Sequence, residues 1–343
     1  MHELLNTLYV LTQGSYLRLD HDTLRLEVDG DARLVVLIQH LRALVLFGNV
    51  MVTPFALHRF AEEGRNVVLL DSRGRFKGRL EGSQSGNVLL RQAQHRIAGE
   101  EPVALQLAKA IVAGKVQNSR QVLLRAAREA GPGTDGERLR AAAEELGRAL
   151  RTAGRSASLD EMRGFEGHAA QSYFAVFTAM VRGDRERFKM LGRSRRPPRD
   201  PLNALISFLY TLLLADCCAA VESVGLDPQI GFLHSLRPGR PALGLDLVEE
   251  FRSIVADRLA LTLINRRQLS AADFEEQPGG AIFLSEDGRR TVVAEYQRRK
   301  QEEVTHPLLG RTMPLGLVPF IQARLLARHL RGDADRYVPF LPK

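Results

Sequence analysis

The sequence predicts an α+β, multi-domain protein in which a small N-terminal β-rich domain precedes a larger all-α domain. Three observations support this. Strand patterns, some alternating and some continuously apolar, extend to about residue 80; a Gly/Ser/Gln-rich stretch follows, and apolar residues then recur at helical spacing. A length of 343 residues also suits two domains. The predicted boundaries are 1–80 for the β-rich domain, 81–96 for a linker and 97–343 for the helical domain.

Two patterns predict the strands of the first domain. Residues 16–19 and 24–28 alternate between apolar and polar, as in strands with one buried face. Residues 34–38 and 43–47 are continuously apolar, as in strands buried on both faces. Thr53 and Pro54 suit the cap and first turn of a short helix. The remaining strands of this domain are predicted at 66–71 and 76–80.

The second domain is predicted to be helical because its apolar residues follow a period of 3.6. A Gly-rich interval at 279–288 favours a late hairpin, and the two prolines of 332–343 favour an extended segment. The predicted helices cover 103–116, 122–130, 136–152, 158–182, 201–224 and 243–263.

The charge balance favours a polyanionic partner. The chain has 48 Lys and Arg against 40 Asp and Glu, a net charge of +8. This points to nucleic acid or an anionic membrane surface. No tryptophan is present and aromatic residues make up 6%, so an aromatic platform for stacking bases is not expected.

The sequence favours the cytoplasm over a membrane. Its start lacks a basic segment followed by an apolar one, so no signal peptide is expected. The most apolar window, 204–220, is interrupted by Asp216 and is predicted to be a buried helix. Cys217 and Cys218 are adjacent, which favours reduced, buried thiols.

Glu166 is a candidate functional residue on the helix predicted over 158–182. It shares a face with Tyr173 and Phe177. A carboxylate on a buried face is costly unless a cation or a hydrogen-bond donor meets it. Glu166 is therefore either paired with a basic residue at the edge of the core or is a metal-binding or catalytic group.

A histidine and an acidic stripe form a second candidate site. His234 ends a short apolar segment in a loop rich in Gly and Pro, where a single histidine is more often structural than a ligand. Asp246, Glu249 and Glu250 lie three and four residues apart on the helix predicted over 243–263, and no basic residue is expected on their face. The stripe is either a solvated polar face or, with His234, a site for Mn²⁺ or Mg²⁺.

A strongly basic loop, 182–199, lies between these two candidates. Pro197 and Pro198 exclude a regular helix there. A loop whose charges are nearly all positive would neutralise phosphates. The alternative is a surface loop that only increases solubility. The candidate DNA-binding residues are Arg182, Arg185, Lys189, Arg193, Arg195, Arg196 and Arg199.

Together these residues resemble the CRISPR-associated integrases of spacer acquisition, also described as the CRISPR adaptation nuclease family. The resemblance covers essentially the whole chain, including the order of a β-rich domain before a helical one. In its general features the sequence is similar to family members found with type I-C systems. The matching segments are EGHAAQSY at 166–173, RPPRDPLNALISF at 196–208, GLDPQIGFLH at 225–234, ALGLDLVEEFR at 242–252 and, more weakly, KVQNSR at 115–120.

The resemblance implies one divalent ion, Mn²⁺ or Mg²⁺, bound by Glu166, His234 and Glu249. Asp246 matches a further acid near the metal and an alternative ligand. The implied catalytic group is therefore Glu166, His234, Glu249 and Asp246, carried by the helical domain.

The resemblance also implies partners and a reaction. The β-rich domain is expected to form the homodimer, and dimers are expected to clamp a small ferredoxin-like adaptation protein. The implied substrates are double-stranded DNA with 3′ single-stranded ends and repeat DNA. The 3′-hydroxyl of the incoming DNA would attack a phosphodiester at the repeat by transesterification, with no covalent protein–DNA intermediate.

Two other hypotheses remain open at the level of sequence. One is a non-enzymatic basic DNA-binding scaffold with a solvated acidic stripe. The other is a general metal-dependent DNA nuclease that degrades DNA without joining it.

Overall fold

The computed structural model describes residues 7–80, 82, 88–190, 192–194 and 197–342. The chain divides into two compact units, Met1–Ser85 and Gly86–Lys343. The first is rich in strands and the second is mainly helical, which confirms the predicted α+β class. Residues 81 and 83–87 of the predicted linker, 81–96, lie outside the described residues, whereas its part from residue 88 onward belongs to a helix.

In its described residues, the first unit contains two four-stranded sheets, one α-helix and a 3-10 turn at Ile38–His40. One sheet has the strand order β1-β5-β7-β8 and the other β4-β3-β2-β6. The elements are β1 (Thr7–Val10), β2 (Ser15–Asp20), β3 (Thr23–Val28), β4 (Asp31–Leu37), β5 (Ala43–Phe47), β6 (Val50–Val52), α1 (Pro54–Glu62), β7 (Asn66–Leu70) and β8 (Phe76–Leu80).

The core of this unit lies between α1 and the inner faces of the strands. Leu17, Leu44 and Phe60 are fully buried and belong to one apolar cluster. The Thr53 hydroxyl accepts a hydrogen bond from Ala56 N, so the predicted N-cap is present. Alternation in β2 thus gives the buried face that the sequence predicted.

The prediction that β4 is buried on both faces is wrong. Leu34, Val35 and Leu37 are 39%, 53% and 39% exposed. β4 is an edge strand that pairs with β3 alone. A continuous apolar run does not distinguish an edge from a central position, whereas β5, between β1 and β7, is buried as predicted.

The second unit consists of nine helices and two short hairpins in its described residues. The elements are α2 (Val88–Gly99), α3 (Glu101–Ala130), α4 (Thr134–Ala153), α5 (Leu159–Ala175), α6 (Pro201–Ser223), α7 (Ala242–Phe251), α8 (Arg258–Asn265), β9 (Phe274–Gln277), β10 (Ala281–Leu284), α9 (Glu286–Gln301), β11 (Glu303–His306), β12 (Arg311–Pro314) and α10 (Val318–Leu330).

Several predicted boundaries in this unit are wrong. The two helices predicted at 103–116 and 122–130 are one helix, α3, in which the polar residues Asn118 and Ser119 between them are buried. The helix predicted to reach residue 182 ends at Ala175, where a 3-10 turn follows. The helix predicted over 243–263 is interrupted by a π-helical turn, Arg252–Asp257.

The late hairpin is present but shorter than predicted. β9 and β10 pair antiparallel around Gly279 and Gly280, both of which have positive φ. Gly288 lies inside α9, whose N-cap is Ser285. No helix or strand occurs over 332–342, the described part of the segment predicted to be extended.

The apolar window of α6 belongs to the core of the helical unit. Among the described residues, α6 is the one helix long and apolar enough to cross a membrane, and 61% of its most apolar window is buried. Cys217 and Cys218 are free and buried in it, as predicted. Both observations support a core helix.

Replacing Phe60 with alanine is expected to destabilise the β-rich unit by about 3–5 kcal/mol, because its fully buried ring would leave a cavity. The matched control is Phe55→Ala on the same helix, where the ring is 75% exposed. Denaturant unfolding of the full chain measures both variants. Equal losses of stability would contradict the assigned core.

Candidate active site

Asp246 fixes the loop that carries His234. Its carboxylate is fully buried and accepts backbone N–H groups from three consecutive residues: Phe232 and Leu233 donate to Oδ2, at 2.6 and 3.1 Å, and His234 donates to Oδ1 at 3.0 Å. Gly231 allows this approach, since a Cβ there would lie 2.7 Å from Asp246 Oδ2. The acid thus acts as a backbone anchor.

The same carboxylate orients the imidazole of His234. Asp246 Oδ1 lies 2.6 Å from Nδ1, while Nε2 lies 3.7 Å from Glu249 Oε1. With the Nδ1 proton donated to Asp246, the lone pair of Nε2 faces Glu249. This is the carboxylate–imidazole arrangement that accompanies many histidine ligands to metals.

Glu166 of α5 and Glu249 of α7 meet at one cation. The ammonium group of Lys115 in α3 contacts Glu166 Oε1 and lies 2.6 Å from Glu249 Oε2. The four side chains therefore form a continuous series from Glu166 through Lys115 and Glu249 to His234. The sequence left open whether Glu166 is paired, and the structure pairs it with this lysine.

Glu249 is ionised although it is only 2% exposed. Burial opposes ionisation, but Arg252, Lys115 and His234 together lower the pKa of its carboxyl to about 2. Arg252 Nη2 lies 2.9 Å from Glu249 Oε1. The buried carboxylates exclude a solvated stripe, one of the two alternatives that the sequence left open. The expectation that no basic residue lies on this face is wrong.

Arg252 lies at the start of the π-helical turn and makes two contacts inside the unit. Besides Glu249, its guanidinium group lies 4.7 Å from the ring centroid of Tyr210. The Tyr210 hydroxyl donates a hydrogen bond to Asp257 at the other end of the turn. The turn thus directs an arginine and an acid toward the same tyrosine.

Glu250 binds a distant segment, residues 337–340. Its carboxylate accepts hydrogen bonds from the Tyr337 hydroxyl and, at 2.8 Å, from Phe340 N. Gln322 Nε2 also donates to it, at 2.9 Å. Asn118 of α3 donates to both Glu250 O and Phe340 O, so the segment is attached directly beside Glu249.

The predicted basic residues have different surroundings. Arg182 pairs with Glu129 and Arg185 with Asp135, at 2.8 and 2.6 Å. Arg193 donates to Asn203 and Ser207 of α6. Arg199 donates to Gly279 O at 2.8 Å, Lys189 is exposed, and Arg195 and Arg196 lie outside the described residues.

Two charged residues of the site were not predicted. Lys115 belongs to the weaker matching segment, KVQNSR, and Arg252 ends the segment ALGLDLVEEFR. Arg252 is three residues after Glu249, a spacing that places both on one helix face. Lys115 gives no such local signal, because it lies on a different helix.

The carboxylates and the imidazole suit a divalent ion by chemistry, but the ammonium group lies between the two glutamates. In the part of the chain that the structure describes, no three histidine, cysteine or acidic side chains converge closely enough to form a metal site as they stand. Glu166 and Glu249 nevertheless direct an oxygen toward this point, and His234 Nε2 lies 3.7 Å from the other oxygen of Glu249.

Comparison with known proteins identifies the family. The pattern of the family described as CRISPR associated protein Cas1 matches residues 8–298. A Moorella thermoacetica protein named CRISPR-associated endonuclease Cas1 1 is 54% identical over 341 residues, 99% of each chain. This chain belongs to the Cas1 family.

Solved structures share the fold of this Cas1-family chain. A casposase bound to an integration product has a TM-score of 0.84 at 23% identity, covering 97% of this chain and 92% of that one. A chain of a Cas6-RT-Cas1–Cas2 complex has a TM-score of 0.84 at 25% identity, covering 99% of this chain and 36% of that one.

In this Cas1-family chain, Asp246→Asn is expected to lower the free energy of unfolding by about 2–4 kcal/mol, because an amide group would face buried N–H donors. The control is Asp160→Asn, whose exposed ion pair with Arg163 is expected to matter by less than about 1 kcal/mol. Urea unfolding measures both. A loss no larger than the control's would contradict the anchoring role.

Glu250 is expected to make stability depend on pH. Burial raises the pKa of its carboxyl from 4.5 to about 7, despite the hydrogen bonds from Phe340, Tyr337 and Gln322. Below 4.5 the group is protonated in both states. Between 4.5 and 7 only the unfolded chain ionises, so the free energy of unfolding falls as pH rises, and it levels off above 7.

Relative to Glu250→Gln, the wild type is expected to lose on the order of 3 kcal/mol of stability across that window. Glu286→Gln, an exposed acid on α9, is the control for general charge effects. Unfolding curves collected at several pH values give the difference. A difference between wild type and Glu250→Gln that does not change with pH would refute this assignment.

Proposed function

We propose that this Cas1-family chain is a metal-dependent DNA endonuclease and integrase of CRISPR adaptation. One observation carries the proposal: Glu166 and Glu249 face a single cation position, and Asp246 directs the free nitrogen of His234 toward Glu249. The endonuclease name of the Moorella thermoacetica relative agrees with this.

The proposed metal ligands are Glu166, His234 and Glu249. Two carboxylate oxygens and one imidazole nitrogen suit Mn²⁺, and Mg²⁺ also accepts such oxygens. Asp246 is not proposed as a ligand, because both of its oxygens are engaged by N–H groups of residues 232–234. When bound, the ion would lower the pKa of an attacking hydroxyl and offset charge on the phosphorane-like transition state.

The residues of the chain prepare this chemistry. Arg252 and Lys115 keep Glu249 ionised, so no proton has to leave before it binds a cation. Asp246 holds the His234 proton on Nδ1 and leaves Nε2 free. Lys115 would also be available to contact a phosphate once its glutamate partners bind the ion.

The proposed reaction is a transesterification. The 3′-hydroxyl of incoming DNA forms a new P–O bond at the repeat, the bond to the departing 3′-oxygen breaks, and the proton passes from the attacking to the departing oxygen through solvent. No protein nucleophile is needed. Tyr173, which shares the α5 helix with Glu166, is only 3% exposed and is therefore a packing residue.

Partners are proposed from the resemblance and from one solved structure. The solved Cas6-RT-Cas1–Cas2 complex supports a Cas2 partner for this chain. From the resemblance we propose that this partner is small and ferredoxin-like and that the β-rich unit forms a homodimer. We propose DNA with 3′ single-stranded ends and repeat DNA as substrates, a cytoplasmic location and, more specifically, a type I-C system.

The two alternatives differ in what they predict. A binding scaffold needs neither His234 nor a metal. A general nuclease would use the same ligands but yield only cleaved DNA. The buried carboxylate of Glu249, which faces Lys115, favours an enzyme over a scaffold, because DNA binding alone does not require an ionised acid in the interior.

A strand-joining assay tests the proposal. The protein is incubated with labelled DNA that has free 3′ ends, a plasmid bearing a repeat, the small partner protein and Mn²⁺. We expect joined product from the wild type and at least a hundred-fold less from His234→Ala, with DNA affinity nearly unchanged. His168→Ala is the matched control, since His168 follows Glu166 closely but faces Glu145.

Cleavage without joining would support the general nuclease instead. Equal loss of joining and of DNA affinity in His234→Ala would support the scaffold. Fluorescence anisotropy provides the affinity, and gel electrophoresis of the plasmid provides the product.

A further inference from the structure

Gln94 of α2 contacts the loop that carries His234. The helix α2 packs against α3 and α10, and its buried residues, Leu90 and Gln94, lie one helical turn apart. Gln94 is fully buried although its side chain is polar. An amide group in the interior is costly unless its donors and its acceptor all find partners.

The partners of the Gln94 amide are all backbone groups at the start of the loop. Nε2 donates to Asp227 O at 2.8 Å and to Ile230 O at 2.7 Å, and Oε1 accepts from Asp227 N at 2.9 Å. Residues 226–241 contain no helix or strand, so these backbone groups have no partners in a regular element. Gln94 therefore supplies from α2 the hydrogen bonds that secondary structure supplies elsewhere.

The chain between Ile230 and His234 has little freedom to absorb a displacement. Ile230 is only four residues before His234. Gly231 lies directly against the start of α7, since a Cβ there would lie 2.7 Å from the backbone carbon of Ala242. The next three residues donate their N–H groups to Asp246. A shift at Ile230 would therefore move the imidazole or break these contacts.

Gln94 and Asp246 thus fix different properties of the same loop. Asp246 sets which nitrogen of the imidazole carries the proton, through its contact with Nδ1. Gln94 sets where the loop lies, and with it the distance of 3.7 Å between His234 Nε2 and Glu249 Oε1. Ligands of a metal ion need to lie within ~0.2 Å of their usual distances, so the position of the loop matters as much as the proton.

We propose that Gln94 is a positioning residue for the reaction: it holds the start of the loop so that Nε2 of His234 stays beside Glu249. Gln94 itself touches neither the ion nor DNA in this proposal. The inference rests on the proposed function, because it assigns a further residue to the same site. Its loss is expected to weaken metal binding and strand joining while DNA affinity remains.

Nuclear magnetic resonance of metal-free protein labelled with ¹⁵N-histidine tests the positioning directly. At alkaline pH the imidazole is neutral, and its nitrogen shifts report which nitrogen carries the proton. The wild type is expected to show one state for His234, with the proton on Nδ1. Gln94→Met, of similar length but without hydrogen bonds, is expected to show a mixture of states or broadened signals. His234→Ala identifies the signals by their loss.

Metal affinity and its rescue provide the second measurement. We expect Gln94→Met to bind Mn²⁺ about ten-fold more weakly, as measured by electron paramagnetic resonance of the free ion. Raising the Mn²⁺ concentration is expected to restore joining in Gln94→Met, because the ligands are still present. The same increase is expected to leave His234→Ala inactive. DNA affinity in EDTA is expected to be equal in Gln94→Met and the wild type.

Three further variants separate positioning from general loss of stability. Gln92→Met makes the same change at an exposed site of α2 and is expected to match the wild type. Leu90→Ala destabilises the same helix through a buried apolar side chain and is expected to leave the His234 signals unchanged. Gln94→Glu keeps the acceptor for Asp227 N and is expected to lie between the wild type and Gln94→Met.

The outcomes that would overturn the positioning role are specific. Unchanged His234 signals or unchanged Mn²⁺ affinity in Gln94→Met would do so, as would equal effects of Gln94→Met and Leu90→Ala. If Gln94→Met does not fold, Gln94→Glu decides by the same two measurements. Wild-type protein that binds no Mn²⁺ would instead refute the proposed function, and the resonance comparison would still decide whether Gln94 holds the imidazole.

Discussion

Three carboxylates buried on one helix constrain the structure of the helical unit. Asp246, Glu249 and Glu250 are at most 2% exposed, and each is stabilised in a different way. Asp246 accepts backbone N–H groups, Glu249 is surrounded by cations, and Glu250 is favoured in its protonated form and accepts hydrogen bonds. These requirements bring α3, α5 and the 337–340 segment to α7.

Sequence patterns predicted much of the fold and selected candidate site residues, but not their surroundings. Alternation and helical periodicity identified most elements, and the matching segments selected Glu166, His234 and Glu249, which the structure brings together. The spacing of acids on α7 is the same for a solvated and for a buried stripe, so burial could not be predicted. It depends on Lys115, which a distant helix supplies.

The division between Asp246 and Glu249 shows what geometry adds. Both are acids on one face of α7, and the sequence treated either as a possible ligand. The Asp246 carboxylate accepts three backbone N–H groups and contacts Nδ1 of His234. The Glu249 carboxylate instead contacts Lys115 and Arg252 and lies near Nε2 of His234. Hydrogen-bond partners, rather than residue type, thus distinguish the backbone anchor from the candidate ligand.

The attachment of the 337–340 segment has a consequence for biosynthesis. Asn118 is separated by 222 positions from Phe340, and Glu250 by 90. A ribosome releases α3 and α7 long before residue 340 emerges, so a nascent chain holds the Glu250 side chain without its later partners. The neighbourhood of Glu249 therefore becomes fully ordered only late in synthesis, after the segment 337–340 is available.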